Sequence, residues 1–339
     1  MTVTQSDLLP QQREALEHCR FCPMCKPKGE VSLVTYHEVH TTRARAMLLW
    51  RVVAGHADWT PELAGLVYEA SLDSSSEQFC VGKIPVTKYI HAARVDIVRK
   101  GIAPEAVTRQ AKRFENNPPS ESAHRSPTAV YSDLDSLRPA LSRFLPQGVA
   151  PIPLHELAHI YVLGLEDLYL ARARSLFEAI RRSEAETVIV DGPASYYSLA
   201  VLLPRAGYPL TGVKVAMANE VLDQLGPTSG PPVHLHDSSY NRLGRLDPER
   251  LRSTLRKWGV EILEFAENGL LADDVGVEGA LHLTHPELAT KVALRRIRDL
   301  PRGSTILTDC PTSAAWLKRS IGSAMTVMLP DEYHGAYGG

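Results

Sequence analysis

Cys19, Cys22 and Cys25 stand in CRFCPMC with two residues between each pair, and the chain has only Cys80 and Cys310 besides. Thiols at that spacing can serve three chemistries. A structural zinc site brings its cysteines as two separated C-x2-C pairs, and here there is one run and no second pair. A redox C-x2-C motif leaves the third cysteine without a task. A C-x2-C-x2-C run winds the backbone around an iron–sulfur cube and points three thiolates at three irons. The fourth ligand then comes from far along the chain, and Cys80, in EQFCVGKIP, is the candidate. A helical hairpin between 43 and 72 returns the chain to the first loop. The expectation is one [4Fe-4S] cluster on Cys19, Cys22, Cys25 and Cys80, with a [3Fe-4S] cluster or zinc as the alternatives.

A second pattern offers different chemistry. HELAH, from His155 to His159, has the HExxH spacing of zinc hydrolases, in which two histidines share a helical face and the glutamate is the base. Glu166 or Asp167 stands where a third ligand is needed. A zinc-dependent hydrolase using His155, Glu156 and His159 is therefore the competing function, and a structural subunit with a non-redox metal site is a third.

These residues need elements to hold them. Residues 43–54 carry an apolar stripe at Ala46, Leu49, Trp50 and Val53, with Arg43 and Arg45 expected on the opposite, solvated face. Residues 60–70 begin with a threonine N-cap and a proline at the first helical position. LDSSSEQ, before Cys80, reads as a polar turn, and 108–128 as a polar linker rich in proline and serine. Beyond it, strands at 187–190, 213–218, 233–236, 260–265 and 305–308 alternate with helices such as 168–183 and 286–300, the pattern of parallel sheets with helical crossovers. TVIVDGPAS and TILTDCPTS repeat one strand–turn–helix unit, pairing Asp191 with Asp309, Gly192 with Cys310, Pro193 with Pro311 and Ser195 with Ser313. The expected fold is α+β: a small, mostly helical domain (1–107), a linker (108–128), and a pseudo-twofold α/β domain of two repeats (129–230 and 231–339). The tail from Met325 reads as a strand and then a mobile end.

The chain of 339 residues carries 37 basic and 39 acidic residues, a formal net charge of −2. Such a balance offers no field for nucleic acid or an anionic membrane surface. No run approaches the roughly 20 apolar residues of a spanning helix, and the N-terminus has no basic-then-apolar leader pattern. A cytoplasmic protein is expected, peripheral to a membrane only through partners.

On these residues the chain resembles the iron–sulfur subunits of the heterodisulfide reductase and glycolate oxidase family. The resemblance rests on CRFCPMC, TTRARAMLLWRVVAG and TPELAGLVYEA ahead of Cys80, then on His236-Asp237-Ser238-Ser239-Tyr240, ADDVGVEGALH (272–282) and Cys310-Pro311. It implies a ferredoxin-like N-terminal domain and two cysteine-rich, CCG-type repeats, and it matches Cys80 to the family's distant ligand of the first cluster. Several family cysteines are absent. Gly29, Ala70, Asp73 and Ser76 stand at the second cluster's ligands; Ser239, Asp273, Asp274 and Gly192 stand at repeat cysteines. The resemblance therefore implies a degenerate member: a non-catalytic electron-transfer subunit with one cluster and a metal-free docking domain in which Cys310 is inert. Its partners would be a flavin-dependent dehydrogenase carrying FAD or FMN and an electron-transfer flavoprotein or quinone-linked acceptor. His18, His37 and His40 could adjust the cluster, and Arg43 and Arg45 could dock the flavoprotein.

Overall fold

The structure, a computed structural model, describes residues 7–72, 74–120, 124–133 and 139–338. Asp73 lies outside the described residues. The chain divides into two compact units. The first comprises Met1–Glu115, His159–Glu166 and Asp273–Arg295, and the second Asn116–Ala158, Asp167–Ala272 and Arg296–Gly339. The sequence boundaries do not anticipate the two distant segments that join the first unit.

The first unit is helical. Its central helix, Val86–Arg99, is buried over most of its length. The helix Thr42–Val53 is capped by Thr41, whose side chain accepts from Ala44 N, and Pro61–Tyr68 by Thr60, whose side chain accepts from Leu63 N. Arg45 departs from expectation. It is 2% exposed, and its guanidinium donates to Glu69 O at 3.4 Å instead of facing solvent. The polar run from 108 is not a linker at its start: Glu105–Asn116 is a helix with Val107 and Phe114 buried.

Arg94 explains how the distant segments attach. Its guanidinium, fully buried, donates to Ala70 O (2.7 Å), Val162 O (2.7 Å), Gly279 O (2.8 Å) and Val67 O (3.4 Å). Tyr68 Oη adds a bond to Leu163 O at 2.8 Å. Gly164, at φ +78°, passes so close that a Cβ would lie 2.6 Å from Arg94 C, so no other residue fits there.

The second unit holds two four-stranded parallel sheets. The first contains β1 (Thr128–Tyr131), β2 (Ala150–Ile152), β3 (Thr187–Val190) and β4 (Lys214–Met217). The second contains β5 (Val233–Leu235), β6 (Ile262–Glu264), β7 (Thr305–Leu307) and β8 (Thr326–Met328). Their orders are β2-β1-β3-β4 and β6-β5-β7-β8, the same order relative to the chain. Each third strand leads into a helix that opens on proline, Pro193–Tyr197 and Pro311–Ile321. The tail begins with a strand, β8, as expected, but continues as a helix, Pro330–Tyr337, rather than a mobile end. Tyr333 of that helix is buried among Leu235, Trp258 and Leu307, which holds the end in place.

The two proline turns meet. A Cβ on Gly192 would lie 2.5 Å from Pro311 Cδ and 2.7 Å from Asp309 O. The position that the repeat matches to Cys310 therefore has no room for a cysteine. Gly192→Cys is expected to cost roughly 1–3 kcal/mol of stability through overpacking, read as a lower urea midpoint. An unchanged midpoint would show that the approach is not tight.

Candidate metal centre

The helix Arg13–His18 ends at Cys19, whose backbone is extended (φ −65°, ψ 123°). Phe21 then takes φ +50°, a left-handed turn uncommon for an aromatic residue. A short 3-10 helix, Pro23–Lys28, comes next and carries Cys25. Cys22 is exposed; Cys19, Cys25 and Cys80 are half-buried.

Cys80 is delivered by buried serines. LDSSSEQ is not a turn throughout: Ser74–Phe79 is a helix, with Ser74, Ser75 and Ser76 buried. It packs against the 3-10 helix that carries Cys25. Ser75 Oγ donates to Glu30 Oε1 (2.9 Å) or Lys28 O (3.1 Å), and Ser71 Oγ to Glu30 Oε2 (3.2 Å). Ser76 Oγ lies 2.9 Å from Thr42 Oγ1. Cys80 stands at the end of this helix.

Burial raises the Cys19 thiol pKa, the Phe21 N–H bonded to it works the other way, and the nearby Cys80 and Cys22 thiols raise it further. Cys19 thus has a thiol neighbour on its own loop and another from 61 residues along the chain. Cys80 Sγ accepts from Ile84 N at 3.4 Å. Arg43 is held in its charged form first by Glu38, at 2.5 Å, and more weakly by the charges of Cys25 and Cys22. Its Nη1 also donates to Phe21 O at 3.4 Å. The neighbouring histidines have other partners: His18 bonds Glu14 O, and His40 bonds Thr35 and Glu69.

Among the described residues, no three histidine, cysteine, aspartate or glutamate side chains converge closely enough to hold one metal ion. Thiolates on a single zinc, each about 2.3 Å from it, lie within roughly 4 Å of one another. A cube spreads its four thiolates over four irons and asks for a wider set. Two of the sulfurs accept a backbone N–H, Cys19 from Phe21 and Cys80 from Ile84. Neither Phe21 nor Ile84 carried a sequence signal for that role, because their backbone amides make the contact.

Of the positions that the resemblance matches to a second cluster, Gly29 is closely packed and Ser76 is buried, while Asp273 and Asp274, matched to repeat cysteines, are held by protein partners. A Cβ on Gly29 would lie 2.7 Å from Ser32 Oγ. Lys28 Nζ donates to Asp273 Oδ1 at 3.0 Å, both groups buried, and Arg295 reaches Asp273 Oδ2 at 3.1 Å. Asp274 Oδ2 accepts from Gly276 N (2.7 Å) and Glu278 N (2.9 Å). Glu278 Oε1 accepts from Ser74 N at 3.1 Å. The two aspartates are thus spent on protein partners.

HELAH does not form a zinc helix. The helix begins at Leu157, and Glu156 before it has φ +50°. His155 lies outside the helix, its Nδ1 2.6 Å from Pro153 O and its Nε2 3.3 Å from Ser175 Oγ. The shared helical face that the hydrolase reading of His155, Glu156 and His159 requires is therefore missing. Asp133 caps this helix instead, accepting from Leu157 N and Ala158 N.

Cys310 is fully buried. Burial raises its thiol pKa, against bonds with Ser238 and Ser313 that lower it. Comparison with family models, with curated proteins and with solved structures finds no match. Among the described residues no helix is long and apolar enough to cross a membrane.

In metal-free protein, iodoacetamide is expected to modify Cys22 first and to spare Cys310 until the chain unfolds, because reaction needs an accessible thiolate. A mass-spectrometric time course gives the order, and Cys310 modified as fast as Cys22 would contradict its burial.

Proposed function

We propose that this protein is an iron–sulfur electron-transfer subunit, relaying single electrons through one [4Fe-4S] cluster held by Cys19, Cys22, Cys25 and Cys80. The observation that carries the reading is the pairing of the C-x2-C-x2-C loop with a distant thiol: Cys80 follows a helix with three buried serines that packs against the segment carrying Cys25, and its charge acts on the Cys19 thiol. When bound, the cluster supplies reversible one-electron exchange. The chain's own residues set its surroundings. The Phe21 and Ile84 amides donate toward the Cys19 and Cys80 sulfurs, and such bonds favour the more negative, reduced state. Arg43 adds positive charge beside Cys22 and Cys25. The exposed face at Cys22 is the side from which a partner could approach.

The finer architecture belongs to the same reading. The first unit is taken as a degenerate ferredoxin-like domain, and the network around Lys28, Glu30 and Asp273 as the replacement of a second cluster. The second unit is taken as two cysteine-rich-type repeats that have lost their metal. The shared strand order and the proline turns after β3 and β7 support that view, and the buried Cys310 supports a docking role. The substrate chemistry would lie in a flavin-dependent dehydrogenase carrying FAD or FMN, with an electron-transfer flavoprotein or quinone-linked carrier as acceptor.

Cys80→Ala and Cys310→Ala separate this reading from its rivals. Cys80→Ala is expected to abolish the spin-half resonance of the dithionite-reduced protein, and Cys310→Ala to leave it at full intensity. Retention of the signal in Cys80→Ala, or its loss in Cys310→Ala, would assign the ligands elsewhere.

A further inference from the structure

The cysteine-bearing unit also contains a cavity of about 450 Å³, within the roughly 300–1,000 Å³ range of small-molecule sites. Thr35, His40, Glu69, His285, Leu288 and Lys291 line it, and none of the lining residues is a thiol. Its polar groups are connected. His40 Nδ1 is 2.8 Å from Thr35 Oγ1, and His40 Nε2 is 2.9 Å from Glu69 Oε2. Thr35 already donates its hydroxyl proton to Val31 O at 2.9 Å. His40 Nδ1 must therefore be the donor toward Thr35. His40 Nε2 faces Glu69 Oε2, which leaves Glu69 Oε1 as an acceptor.

The second imidazole is fixed in the same way. His285 Nδ1 is 3.1 Å from Thr284 Oγ1, whose hydroxyl donates to Ala280 O (3.3 Å) or Leu281 O (3.4 Å). His285 Nδ1 is then the donor. Burial lowers the His285 pKa, the Glu69 charge opposes this, and the Arg94 charge adds to it. The ring is thus favoured in its neutral form, with Nε2 as an acceptor. His40 has both nitrogens committed and His285 one, so the acceptors left for a ligand are His285 Nε2 and Glu69 Oε1. Leu288 and Pro286 give the cavity an apolar wall, and Lys291 places a cation on its lining.

We propose that this cavity binds a small hydroxylated aromatic molecule of one or two rings, its hydroxyl donating to His285 Nε2 or Glu69 Oε1. The ring packs on Leu288 and Pro286, and the Lys291 ammonium supplies a cation for its π face. A hydroxyl carries one proton and donates to one of these acceptors, while its own lone pairs remain open to the Lys291 ammonium on the lining. An anion would meet the Glu69 charge, and a ligand with only acceptors would leave the site's own acceptors unpaired.

The test is calorimetric titration of 2-naphthol into the intact protein, its metal content unchanged, beside 2-methoxynaphthalene, which keeps the rings and the oxygen but cannot donate. One naphthol per chain is expected, with the methyl ether and the His285→Ala variant each binding at least roughly tenfold more weakly. Leu288→Trp, which fills the cavity, is expected to abolish binding. Absence of naphthol binding, equal binding of the two probes, or undiminished binding in Leu288→Trp would overturn the proposal. Should His285→Ala fail to fold, the comparison of the two probes on the unaltered protein decides the matter.

Discussion

The buried guanidinium of Arg94 is the contact on which the first unit depends. It donates to carbonyls of Val67, Ala70, Val162 and Gly279, which come from three separate stretches of chain. Carbonyls at helix ends have no partner inside their own helix, and a planar guanidinium can serve several at once. Without it those carbonyls would be buried and unpaired. The Val67–Ala70 turn fixed in this way leads directly into the serine helix and so to Cys80. The geometry of the thiols therefore begins with a residue that touches none of them.

The second organising feature is the buried polar network formed by Lys28, Glu30, Asp273, Asp274, Glu278 and Arg295. Ions in a protein interior persist when each is paired and its remaining hydrogen bonds are made. Here Lys28 and Arg295 share Asp273, and Glu30 is held by two serines. The same contacts fix the 3-10 helix that carries Cys25 against the helix that ends at Cys80. A network of this kind gives one cysteine site a rigid floor.

Much of the plan was legible because it rests on local rules. The threonine caps at 41 and 60, the proline-opened helices after β3 and β7, and strands such as TVIV and TILT stem from short-range chemistry. The features that escaped reading are long-range. Nothing in HELAH or ADDVGVEGALH announces that Val162 and Gly279 will offer carbonyls to Arg94. Serines at 74–76 favour turns by composition, yet the Glu30 carboxylate and Lys28 carbonyl hold them in a helix. Arg45 read as solvated because its neighbours form an amphipathic stripe, but a carbonyl at Glu69 draws it inward. His40 and His285 are far apart in sequence, and their common neighbour Glu69 carries no motif.

The most direct test of a single cube on these four thiols is the metal content of protein purified without oxygen, measured as iron, acid-labile sulfide and zinc per chain. About four irons and four sulfides are expected, with negligible zinc. Zinc in place of iron, with no sulfide, would contradict the electron-transfer reading and return Cys19, Cys22, Cys25 and Cys80 to a structural role.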